Sequence, residues 1–136
     1  MRAKVCCLLM VLILACLIAL PALVAQQGHP LVGIWSGEWG PTPADRSPVL
    51  IELNWETTTL SGIINPGYPD AAEIRMGALD SKNWTVHLEA EGADGDGNPV
   101  RIVVDGKLDN LGSPNRTLTG TWIRNNTRGD FKLTRE

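Results

Sequence analysis

Apolar and polar residues alternate through most of this chain, and Gly, Pro, Asn and Asp interrupt the alternation about every ten residues. A period of two places successive side chains on opposite faces, which suits half-buried strands and not helices. Eight runs carry the pattern: Leu31–Trp39, Pro48–Glu56, Thr58–Ile64, Glu73–Asp80, Trp84–Glu91, Val100–Asp109, Thr117–Arg124 and Gly129–Arg135. The connections are short, so each strand pairs most simply with the one before it. The expected fold class is all-β: a single eight-stranded antiparallel up-and-down β-barrel. Closure removes the free edges an open sheet would expose. A barrel of eight strands either fills with its own side chains or holds one small ligand.

The alternation also assigns faces. Val49, Ile51, Leu53 and Trp55 share one side of the second run, and Trp84, Val86, Leu88 and Ala90 one side of the fifth. Ile102, Val104 and Leu108 point inward from the sixth, Leu118 and Trp122 from the seventh, Phe131, Leu133 and Arg135 from the eighth. In the fourth run Leu79 is out of phase with Ile74 and Met76, and a bulge at Gly77 would restore the phase. Four of the five tryptophans, Trp35, Trp55, Trp84 and Trp122, then face inward, and Trp39 ends the first run.

Ahead of the strands, residues 1–25 read as a cleaved export signal. Arg2 and Lys4 precede an apolar run, and Leu23-Val24-Ala25 makes a small-residue exit. Residues 26–30 then form a flexible leader and residues 31–136 the barrel domain. All three cysteines (Cys6, Cys7, Cys16) fall in the signal, which excludes a disulfide framework and thiolate chemistry from the exported part. Lipidation at Cys16 is a competing reading; without it the mature form has no membrane attachment. Losing Arg2 and Lys4 takes the formal net charge from −3 to −5, which argues against nucleic acid as a partner. The expected location is periplasmic or secreted.

Strand parity sorts the connections into two ends. Gly40–Ser47, Asn65–Ala72, Gly92–Pro99 and Asn125–Arg128 lie at one end, and shorter links concentrate at the other. The loop-rich end is where a ligand would enter a small barrel. Trp39, Ile64, Tyr68, Trp122 and Phe131 gather there and are the candidate ligand-binding residues.

Gly33-Ile34-Trp35 on the first strand, with Arg135 on the last, resembles the calycin signature of lipocalins and avidin-like barrels. The resemblance implies a structural latch in which the Arg135 guanidinium lies over Trp35. Gly120-Thr121-Trp122 repeats the tripeptide. Avidin-type pockets carry inward polar groups, whereas this inward face is nearly all apolar. The stretches His29–Pro41, Ile64–Gly67, Asn83–His87, Asn115–Trp122 and Gly129–Arg135 resemble an uncharacterised family of small secreted bacterial β-barrel proteins. That family implies export and architecture but no reaction.

Catalytic and metal chemistry find little support. Asp94-Gly95-Asp96-Gly97-Asn98 has oxygen ligands at alternate positions, but Pro99 stands where a calcium-binding hand needs Gly, so a polar hairpin loop is the simpler reading. Glu52, Glu56, Glu89 and Glu91 all face outward onto a convex wall, as does His87, and no Gly-x-Ser-x-Gly accompanies them. His29 sits in the leader. The expectation is an exported non-enzymatic binding protein, without cofactor or metal, for a small apolar or aromatic- or sugar-faced ligand at the open end of the barrel. The alternative is a protein-interaction module with a filled barrel, such as a protease inhibitor or a partner of a secreted hydrolase.

Overall fold

The computed structural model describes residues 28–136. The expected signal, Cys16 and the first two residues of the leader lie outside them. Eight strands form one closed antiparallel barrel, each hydrogen-bonded to its sequence neighbours and β8 to β1. They are β1 Gly33–Thr42, β2 Asp45–Glu56, β3 Thr59–Ile64, β4 Ala72–Asp80, β5 Thr85–Ala93, β6 Pro99–Asp109, β7 Thr117–Arg124 and β8 Thr127–Arg135. The architecture is compatible with the calycin-like barrel.

Inward side chains form one apolar core. Val49, Ile51 and Leu53 of β2, Val86, Leu88 and Ala90 of β5, Ile102, Val104 and Leu108 of β6, and Phe131 and Leu133 of β8 are all buried. Trp35 and Trp122 join them, and each indole N–H finds a backbone acceptor: Leu31 O at 2.8 Å and Asp130 O at 3.0 Å. A buried indole needs that acceptor, because an unpaired N–H in the core is costly.

Three expectations about the strands and their links are corrected. The segment Gly40–Ser47 is not a long loop: β1 and β2 run on through it and turn at Pro43-Ala44. Pro41 is accommodated because it falls in the register shift between Trp39 and Thr42, where the ladder does not need its missing N–H. The connections are therefore not concentrated at one end, since Asn65–Ala71 and Asn110–Arg116, at opposite ends, are equally long. The bulge of β4 lies between Ile74 and Met76, not at Gly77. Past it Gly77 faces the core, where a β-carbon would come within 2.7 Å of the Leu60 side chain.

The tryptophans divide differently as well. Trp55 is 43% exposed and stacks on His29, ring centroids 4.3 Å apart and planes 12° from parallel. Trp84 is in the Ser81–Trp84 turn at φ 55°, packing against the core from the side, and its carbonyl accepts from Leu108 N–H at 2.8 Å. Inward parity fails for Trp55, where the segment around Leu31 already closes that end.

That closure replaces the end of the expected flexible leader. Leu31 is fully buried, and every carbonyl from His29 to Val32 has a donor. Val32 N–H bonds His29 O at 3.0 Å, Arg116 Nη1 bonds Pro30 O at 2.8 Å, Trp35 Nε1 bonds Leu31 O, and Arg135 Nε bonds Val32 O at 3.0 Å. Residues 29–32 are thus a strap seated across the barrel base, with Leu31 as its plug.

Candidate functional site

The candidate rim residues separate into core and surface. Ile64 is fully buried, and Trp122 and Phe131 are nearly so. Trp39 is half-buried, pairs across strands with Phe131, and packs on Trp122 with centroids 5.1 Å apart. Only Tyr68 is freely exposed, at 67%. The five therefore do not converge on one cavity. Trp35 and Arg135 are register partners. The Arg135 guanidinium lies over Gly33, whose φ of 135° and missing β-carbon leave it room, and its hydrogen bond goes to the Val32 carbonyl.

The hollows described on the barrel are surface features. The one nearest Trp122 holds about 370 Å³ and is walled by Pro41, Thr42, Pro43, Arg128 and Asp130. Trp122 itself contributes to its lining, beside the β1–β2 tip. A second hollow of about 380 Å³ is lined by Ser36, Pro48, Val49, Leu50, Asn65, Tyr68 and Asp70.

This second hollow tops a patch of apolar side chains that point away from the core. Ile34 and Ile63 flank Glu52 across β1, β2 and β3, and Leu50 lies two residues further along the same face of β2. Ile34 is 43% and Ile63 39% exposed. Such positions sit within cross-strand reach of one another. The sequence signal for this patch was present: Ile34, Leu50 and Ile63 are apolar residues at outward parity. A reading that keeps only the inward phase discards them.

The loop Asn65–Ala71 places the chemistry above the patch. Asn65 takes a left-handed φ of 50° and continues the β2 pairing by itself: its N–H donates to Leu50 O at 2.7 Å, and its Oδ1 accepts from Leu50 N–H at 3.0 Å. Its Nδ2 donates to Asp70 Oδ2 at 3.1 Å. Two further backbone bonds, Tyr68 N–H to Asn65 O and Ala71 N–H to Tyr68 O, wind the loop tightly. Tyr68 is consequently exposed but carried on an ordered base, with the Asp70 carboxylate beside it. An apolar floor, an aromatic ring and a carboxylate suit recognition of an amphipathic side chain.

Elsewhere the outer wall mixes charged groups with the exposed side chains of Met76 and Ile123. His87 lies between two acids: Nδ1 is 2.6 Å from Asp105 Oδ1 and Nε2 is 3.3 Å from Glu89 Oε1, while Arg101 Nη2 is 3.2 Å from the same Glu89 oxygen. The hydrogen bond to Asp105 raises the His87 pKa above its usual value. Both ring nitrogens are occupied by carboxylates, so neither is left to activate a hydroxyl. In the Asp94–Asn98 loop, Asp94 Oδ1 accepts from the N–H groups of Asp96 and Asn98, at 3.0 and 2.8 Å. Those bonds hold the carboxyl below its ordinary range. The loop's own donors thus turn the Asp94 carboxylate to fastening the hairpin.

No family profile matches the sequence, and no curated protein or solved structure matches it either.

Proposed function

We propose that this chain is an exported, non-enzymatic interaction module: a filled barrel that binds a protein partner through the outer wall of β1–β3 and the Asn65–Ala71 loop. The observation that carries this reading is the reversal of exposure. Ile64, Trp122 and Phe131 are buried in the core, whereas Ile34, Leu50, Ile63 and Tyr68 stand on the outside. Exposed apolar groups gathered on one face are what protein interfaces use, with an aromatic anchor at or near the centre. The resemblance to small secreted bacterial barrels fits the same compartment.

A second reading keeps a small ligand at the rim. Half-buried Trp39 against Trp122, beside the hollow walled by Pro41 and Pro43, suits a flat apolar or sugar ring.

Photo-crosslinking in the exported fraction tests the first reading. A benzophenone amino acid at position 68 is expected to give one defined protein adduct that excess unlabelled protein competes away. The same group at position 105, beside His87 on the opposite wall, is expected to give none. No competed adduct at 68, or equal adducts at both positions, overturns the proposal.

A further inference from the structure

The hollow beneath Tyr68 and the charges around it say what kind of partner group fits. Its floor is Pro48, Val49 and Leu50, and its rim is Tyr68 and Asp70. Asp70 is fixed by Asn65 through Oδ2 alone. Glu38 faces Pro48 across the β1–β2 ladder, and Glu52 lies between Ile34 and Ile63. Among the described residues, Glu38, Glu52, Glu56 and Asp70 form no ion pair. The bordering arginines are already engaged: Arg46 with Asp130, and Arg75 with Glu73 and Glu91. Lys132, opposite Glu38 on β8, is the remaining cation beside this wall.

We propose that this hollow receives a lysine or arginine side chain from an extended, apolar-flanked segment of the partner protein. The proposal rests on reading the outer wall as the interface and names the chemistry of its anchor. The methylene stem lies on Pro48 and Leu50, the cation meets the Tyr68 ring and the Asp70 carboxylate, and flanking apolar residues cover Ile34 and Ile63. A cation matches a wall whose carboxylates lack internal partners. The barrel is closed, so no strand edge is free to pair with the partner's backbone, and side-chain anchoring must supply the specificity.

Three synthetic pentapeptides test it, identical in apolar flanks and carrying arginine, norleucine or glutamate at the centre. Amide shifts in nitrogen-15 correlation spectra report binding. The arginine peptide is expected to bind saturably and shift Ser36, Leu50, Asn65 and Tyr68. The norleucine peptide should bind about tenfold more weakly, and the glutamate peptide without saturation. Asp70→Asn keeps an oxygen for Asn65 and should weaken the arginine peptide about three- to tenfold while leaving norleucine unchanged. Equal affinities for the three peptides, shifts centred on Trp39 and Trp122, or no binding of the arginine peptide overturn the cationic anchor. The crosslink at position 68 reports separately. A competed adduct there alongside three equal peptide affinities removes the anchor and leaves the interface standing, and loss of both removes both.

Discussion

The two histidines show how the same side chain is tuned in opposite directions by its neighbours. His87 is held by Asp105 and Glu89 and its pKa is raised; His29 is stacked on Trp55 and its pKa is lowered by burial. A raised folded-state value contributes stability that is complete below the ordinary 6.5 and lost as pH rises through the folded value. A lowered one contributes stability present above 6.5 and lost as pH falls through the folded value. Proton NMR is expected to place the His87 midpoint above 6.5 and the His29 midpoint below it, and Asp105→Asn should bring His87 down while leaving His29 in place. Coincident midpoints would contradict the described contacts. Protonated His29 also loses the Nδ1 acceptor for Leu31 N–H, 3.3 Å away. Asn65 offers a second test at this scale. Asn65→Ala removes the acceptor for Leu50 N–H and strains the left-handed backbone, so denaturant unfolding should show a loss of about 2 kcal/mol. Asn65→Gly relieves the strain but not the lost bonds, and should fall between the two.

Among the elements, β7 was legible to the residue: Thr117–Arg124 alternates up to Trp122, and turn residues bound it on both sides. β1 and β2 were not, because Pro41, Pro43 and Gly40 signal a loop by composition while the register shift lets them extend a hairpin. The bulge of β4 was legible in existence but not in place. Any single extra residue between Ile74 and Leu79 restores the phase, and only the packing of Leu60 against Gly77 decides. The strap was missed for another reason: four residues carry no period, and Leu31 reads as the start of a strand. Its contribution is measurable. Leu31→Ala should cost about 3 kcal/mol, in the range for a fully buried leucine. Arg116→Met should free the Pro30 carbonyl and speed amide exchange at Leu31 and Val32 more than in β5. Arg116 and Arg135 stand side by side at the base, and the Arg135 N–H bonds the Arg116 carbonyl at 2.9 Å. Both side chains donate to backbone carbonyls of the strap.

At the scale of the whole molecule, the five tryptophans against a single Tyr and a single Phe first suggest a binding cavity. Their placement assigns most of them to architecture: Trp35 and Trp122 fill the core, Trp84 packs beside it, and Trp55 anchors the strap. The candidate site was legible only at Tyr68, whose loop position marks it. The outward isoleucines and Leu50 became meaningful once the register set them side by side. On the proposed reading, the outer wall carries the function and the interior is its scaffold. Tryptophan fluorescence titrated with fatty acids, flavonoids, haem and oligosaccharides tests this most directly, since Trp39 and Trp122 would sense any occupant of the open end. The account predicts no saturable change with any class and no shift in the unfolding midpoint. Saturable quenching by one class, abolished in Trp39→Ala but retained in Tyr68→Ala, would contradict it.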